Sequence, residues 1–307
     1  MRWRLAFALT AGLGLACGDA PGQTPTCFGA AARDPDRQCS NAALGRSVTP
    51  TPREARTLPN SPCRPISKRP SVCGFGARAG ATTVAIVGDS HAGHWRAALD
   101  HVAHSKGWRG LSITHSSCPL QKAVRDIPEP RRSSCARWKQ EVFKWFEGHP
   151  EVSVVFVAGL TGFTGVVPRP GRSRFETSVQ SYVDAWRALP RSVSKIVVLR
   201  DTPKVRGHTD DCVTRAIARR RDPGPACAVS RSFALERDPA MTAAARLGGS
   251  RIARVDLTRY FCDTRCYPVV GGVLVLRDSH HMTGAFSGTL GPYLLRALPR
   301  MGSGPGR

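Results

Sequence analysis

Five short apolar runs recur along the chain, at residues 83–87, 111–115, 152–158, 195–200 and 252–257. The third, Val-Ser-Val-Val-Phe-Val-Ala, is apolar at nearly every position instead of every second one. That pattern suits a strand covered on both faces. Stretches with helical spacing separate the runs. Residues 93–106 place Trp95, Leu99 and Val102 on one side, and residues 135–148 do the same with Trp138, Val142, Trp145 and Phe146. Further helices are expected at 175–189, 233–247 and 283–298, with a short extra strand at 273–276 and a long polar loop over 201–232. Strands and helices alternating in this way predict a parallel sheet between two helical layers. Ligand sites in such sheets lie beyond the C-terminal ends of the strands.

The first run leads directly into Gly88-Asp89-Ser90-His91, which puts Ser90 at such a strand end. Near the C-terminus the chain reads Asp278-Ser279-His280-His281. A serine hydroxyl is a weak nucleophile until an imidazole takes its proton, and the imidazole needs an acceptor to hold its tautomer. Ser90, His281 and Asp278 supply those three groups. His280 competes with His281 for the part of base. Asp89 reads as a turn residue bonding to local backbone.

The chain carries a formal net charge of +23, yet only seven of its 45 basic residues are lysine. Arginine of this abundance is spread along the chain without a nucleic-acid recognition motif, so composition accounts for it and nucleic acid is not an expected partner. An anionic envelope polymer is compatible with the charge. The first residues, Met-Arg-Trp-Arg, precede an apolar stretch at 5–16, as in an export signal over residues 1–20. The stretch is too short to span a bilayer comfortably. Cys17 follows Leu15-Ala16, as at a lipoprotein processing site, although Gly14 stands where Leu is usual. A start placed inside a longer membrane protein is a further alternative.

Eleven cysteines are present. Without Cys17 the remaining ten fall into close successive pairs: Cys27 and Cys39, Cys63 and Cys73, Cys118 and Cys135, Cys212 and Cys227, Cys262 and Cys266. Sequential bridging is expected from proximity, in an oxidising compartment outside the cytoplasm. Each bridge contributes roughly 2–4 kcal/mol. The spacings do not suit zinc, and no metal or cofactor is expected. Three segments result: the signal at 1–20, an irregular Cys- and Pro-rich segment at 21–80 stapled by two bridges, and an acyl-transfer domain at 81–307.

Gly88-Asp89-Ser90-His91 after the first strand, together with Asp278-x-x-His281 before the last helix, resembles the SGNH hydrolase superfamily. More narrowly, the chain resembles the SGNH domain attached to membrane acyltransferases that O-acetylate bacterial polysaccharides. Ser117-Cys118-Pro119-Leu120, Arg200-Asp201-Thr202-Pro203 ahead of Cys212 and Cys227, and Cys262 and Cys266 ahead of Arg277-Asp278 extend the likeness across roughly residues 27–300.

The resemblance implies a three-layer α/β/α, flavodoxin-like fold with a five-stranded parallel sheet. It also implies Ser90 as nucleophile, His281 as base and Asp278 as its orienter. The acyl group would come from a membrane acyltransferase partner and pass to a sugar hydroxyl of a cell-envelope glycan. An esterase acting on such glycans, and a glycan-binding domain impaired in catalysis, are the alternatives. The family usually carries an oxyanion-binding Asn after the third strand. Here that loop reads Ala158-Gly159-Leu160-Thr161, and the only Asn residues are Asn41 and Asn60. The oxyanion hole is therefore expected from backbone donors at Ser90, Cys118 and Gly159. His91 and Trp95 are the expected substrate contacts.

Overall fold

The computed structural model describes residues 24–299 apart from 38, 60, 61, 64 and 162–164. The expected export signal and Cys17 lie outside the described residues, as does Asn60. A seven-stranded sheet forms the centre. Its strands are β1 (Pro65–Lys68), β2 (Ser71–Gly76), β3 (Thr82–Gly88), β4 (Trp108–Thr114), β5 (Val152–Ala158), β6 (Lys195–Leu199) and β7 (Ile252–Val255), in the spatial order β1-β2-β4-β3-β5-β6-β7. From β4 to β7 all pairings are parallel. The five expected strands are all present, but the expected total of five is corrected to seven. Residues 65–76 form a hairpin that pairs antiparallel with β4. In this hairpin only Val72 and Cys73 are buried hydrophobics, so the segment lacks the apolar run that announces the other strands, and part of the stretch expected to be irregular belongs to the sheet.

Successive β3 residues face opposite layers, as the two-residue period of a strand dictates. Val84 and Ile86 join a cluster with Trp95, Leu99, Val102, Phe286 and Leu294. Ala85 and Val87 join one with Trp138, Val142, Phe146, Val179 and Trp186. The helices divide accordingly. After α1 (Ser90–Gly93), α2 (Arg96–Lys106) covers the first face. Then α3 (Arg131–Glu147), α4 (Arg174–Arg187) and α5 (Pro239–Leu247) cover the second, and α6 (Gly284–Thr289) and α7 (Gly291–Ala297) return to the first. Local signals set their ends. The Ser173 hydroxyl accepts from Glu176 N–H, Asp238 accepts from the N–H groups of Ala240 and Met241, and Thr283 accepts from Phe286 N–H. Gly107, at φ +63°, closes α2 in the left-handed conformation.

Five disulfides are formed, joining Cys27–Cys39, Cys63–Cys73, Cys118–Cys135, Cys212–Cys227 and Cys262–Cys266. Cys63–Cys73 ties the approach to β1 onto β2. Among the described residues no helix is long and apolar enough to cross a membrane.

The order in which successive parallel strands join the sheet reverses at β3, with β4 on one side and β5 on the other. Their C-terminal ends are level: Gly88 pairs with both Thr114 and Ala158. This is the crevice in which doubly wound folds place their sites. The chain turns sharply at Gly88, where a Cβ would lie 2.1 Å from the Ala158 carbonyl oxygen. Only glycine fits there, and the turn delivers Ser90 to the crevice.

Candidate active site

Ser90 is the first residue of α1, and Asp89 caps that helix by accepting His91 N–H at 2.8 Å. The other Asp89 oxygen accepts Leu160 N–H at 3.0 Å, which binds the turn after β3 to the loop after β5. Burial pushes the Asp89 carboxyl above its ordinary range, although His91 and the two N–H donors pull the other way.

The second part of the site is a short loop closed on itself, with Arg277 N–H donating to the His281 carbonyl. Within it, Asp278 Oδ1 accepts the N–H groups of His280 and His281 at 2.9 and 2.7 Å, and Oδ2 accepts His281 Nδ1–H at 2.8 Å. One carboxylate thus shapes the loop and fixes the tautomer of the ring. Burial works against the charged form, but these hydrogen bonds outweigh it and hold the Asp278 carboxyl well below the usual range. With Nδ1 protonated, His281 Nε2 is an acceptor, and Ser90 Oγ–H donates to it at 2.8 Å. The structure therefore brings together Ser90, His281 and Asp278 across 191 positions of chain. They open on a cavity of about 420 Å³ that Arg96, Thr114, Ser116 and Arg277 also line.

His91 and Trp95 lie elsewhere. Trp95 is 2% exposed and packs in the core under α2 and α6. His91 is fully buried and has a different set of contacts. Its Nδ1 meets Asp201 Oδ1 at 2.5 Å, and its Nε2 meets His280 Nδ1 at 3.0 Å. Asp201 stands just past the end of β6 and also accepts Thr161 N–H and Oγ1–H, at 2.8 and 3.0 Å, and Thr202 N–H at 2.8 Å. Burial alone would raise the Asp201 carboxyl; His91 and the Thr161 donors reverse that and hold it low. Burial alone would lower His91, and Asp201 reverses that too. His280, half-buried beside other imidazoles, is pushed down to about 4. His94 accepts Met282 N–H at 3.2 Å, which secures the chain just beyond the Asp278–His281 loop to the end of α1, the helix bearing Ser90.

The expected oxyanion donors separate in the same way. Cys118 N–H is already donated to the His115 carbonyl at 3.0 Å, so it is withdrawn as a donor. Gly159 is buried and does not line the cavity, and the next two residues aim their N–H groups at Asp89 and Asp201. Ser90 N–H remains, with no hydrogen bond among the described residues. The loop after β5 thus serves two buried carboxylates. Arg96 and Thr114 were not singled out from sequence; Asp201 was read only as part of the Arg200–Pro203 motif, and His280 only as a rival to His281 for the part of base. Asp201 and Thr114 had a usable signal, since each stands at the C-terminal end of a parallel strand.

Among the described residues, two groups of side chains have the composition of a metal site: His91, His280 and His281, and the fully buried set His91, His94 and Asp201.

The family model of the SGNH domain that is fused to AT3 domains matches residues 57–296. The chain belongs to this SGNH family. Membership makes it an enzyme of the SGNH type, one that transfers or hydrolyses an acyl ester. No curated protein matches its sequence. Among solved structures, it is similar to the periplasmic domain of the lipopolysaccharide acetyltransferase of Salmonella ser. Paratyphi A. The TM-score is 0.53 and the identity 14%, over 70% of this chain and 84% of that one. A carbohydrate esterase family 2 enzyme with a carbohydrate-binding domain, from Corynascus thermopiles (Myceliophthora fergusii), aligns at a TM-score of 0.36 and 14% identity, over 72% of this chain and 66% of that one. The Salmonella domain shares the fold of this SGNH chain.

Proposed function

We propose that the protein is an extracytoplasmic O-acetyltransferase that carries an acetyl group on Ser90 and delivers it to a hydroxyl of a cell-envelope glycan. The observation that carries this is the unbroken hydrogen-bonded line from Ser90 Oγ through His281 to Asp278, with 2.8 Å at each step, opening on a cavity. In the forward reaction Ser90 Oγ attacks the acyl carbonyl and its proton passes to His281 Nε2. Asp278 stabilises the imidazolium. Ser90 N–H meets the developing oxyanion. The imidazolium then protonates the leaving group. In the second half, the acceptor hydroxyl gives its proton to His281 and attacks acyl-Ser90, and the imidazolium returns that proton to Ser90 Oγ as it leaves.

The family's association with AT3 domains supports a membrane acyltransferase as donor. The Salmonella neighbour, a lipopolysaccharide acetyltransferase domain, supports a glycan acceptor. Five disulfides support a compartment outside the cytoplasm.

A second reading is a glycan O-acetyl esterase. It is favoured by solvent access to the site, since the His281 and Asp278 side chains are 26% and 45% exposed. Water can then compete with a sugar for the acyl-enzyme. The two are separated by supplying an acetyl ester with and without oligosaccharide acceptors. A transferase forms acetylated sugar at the expense of free acetate. An esterase releases acetate at the same rate in both cases, and that result overturns the transferase reading.

A further inference from the structure

We propose that His91, His280 and His281 form a binding site for a transition-metal cation of the zinc class, and that an ion held there reversibly blocks the catalytic imidazole. One nitrogen of each ring lies within 4.8 Å of the other two. His91 Nε2 and His280 Nδ1 are 3.0 Å apart. A tetrahedral ion bonded at 2.0–2.1 Å to two nitrogens holds them about 3.3 Å apart, so a small separation of these rings admits one.

The orientation of the rings supports the same site. Metal-bound imidazoles characteristically donate their second N–H to a carboxylate, which fixes the tautomer and strengthens the ligand. Two of the three rings are already held in that way: His91 Nδ1 by Asp201 and His281 Nδ1 by Asp278. Both therefore keep Nε2 unprotonated, and an ion would take the lone pairs that now accept from His280 Nδ1–H and Ser90 Oγ–H, with the His280 Nδ1 proton lost to solvent or moved to Nε2. His280 presents Nδ1 to the same place, and its own N–H and carbonyl are anchored to Asp278 and Thr202. Three imidazoles suit zinc, copper, cobalt or nickel and not magnesium or calcium. The fourth position falls to water or to Ser90 Oγ. Entry is from the cavity over His281, since His91 is buried and His281 is partly exposed. An ion on His281 Nε2 occupies the lone pair that accepts the Ser90 proton, so the loaded protein does not form an acyl-enzyme.

The test uses the full chain without a histidine tag, stripped with EDTA and titrated with Co²⁺ and then Zn²⁺. A single Co²⁺ should bind with the intense visible absorption of four-coordinate cobalt. Zn²⁺ should displace it and suppress hydrolysis of 4-nitrophenyl acetate, and EDTA should restore the rate. In His280→Gln, the concentration giving half-inhibition, measured against that variant's own metal-free rate, should rise about tenfold or more. The absence of both absorption and inhibition at millimolar metal overturns the proposal, and so does inhibition of equal potency in His280→Gln. A metal-free protein that hydrolyses no ester would count against the proposed function alone; the cobalt absorption would still decide this site.

Discussion

Two Asp–His pairs stand side by side at the ends of the central strands, and they differ in what surrounds them. In one, Asp278 holds Nδ1 of His281, whose Nε2 faces a hydroxyl at the edge of a cavity. In the other, Asp201 holds Nδ1 of His91, whose Nε2 faces a third imidazole and whose ring has no exposed surface. Residue types do not tell the pairs apart. Access does: only the first has a nucleophile at its free nitrogen and room for a substrate beyond. The second joins the loop after β5, the end of β6 and the 278–281 loop, and so it positions the first.

The comparison is broken most directly at the open pair. Ser90→Ala and His281→Ala should each lower turnover of an acetyl ester by about 10⁶-fold while the thermal midpoint stays close to that of the parent. Retention of most of the activity in either variant would remove the distinction between the pairs. Asp278→Asn should cost about 10⁴-fold, because an amide no longer holds the tautomer that frees Nε2. A loss below tenfold in steady-state kinetics would show that the loop holds His281 without the carboxylate.

The buried pair should respond in stability more than in rate. Asp201→Asn leaves a buried imidazole without its charge partner and should cost about 3 kcal/mol in urea unfolding. An unchanged unfolding midpoint would show that the pair is not under the constraint its burial implies.

A smaller effect lies just beneath it. Asp238 accepts Asp201 N–H at 3.1 Å, and burial together with the Asp201 charge raises its carboxyl to about 6. The folded state then binds a proton more tightly than the unfolded state, whose ordinary value is near 3.8. Its contribution is fully present below that ordinary value and is lost as the pH rises to about 6, by roughly 3 kcal/mol at most. Asp238→Asn should flatten stability against pH over that interval relative to the parent. Parallel curves would show that Asp238 titrates normally.

Much of this arrangement is legible in the sequence because it depends on local pattern. Four of the apolar runs are largely buried strands and the fifth is the partly exposed edge strand β7, the Gly88-Asp89-Ser90 turn needs glycine against the Ala158 carbonyl, and Asp278-x-x-His281 places acceptor and ring within one loop. What stayed hidden depends on contacts between distant segments. Residues 65–76 become strands because the edge of β4 is open to them, and not because of their own apolar content. His91 adjoins Ser90 in sequence, which suggested substrate contact, yet the first turn of the helix directs it inward to Asp201, 110 positions away. Cys118 follows a strand end and so resembled an oxyanion donor, but its N–H closes a turn onto His115. Trp95 shows helical core spacing, and core is what it became.

The central claim is a covalent acyl group on Ser90. Rapid quenching of the protein with 4-nitrophenyl acetate, followed by peptide mass analysis, tests it most directly. The expected result is a single acetyl group on the peptide bearing Ser90, absent from Ser90→Ala and from His281→Ala. Ester turnover with no acetylated Ser90, or with the acetyl group on another side chain, would contradict the account.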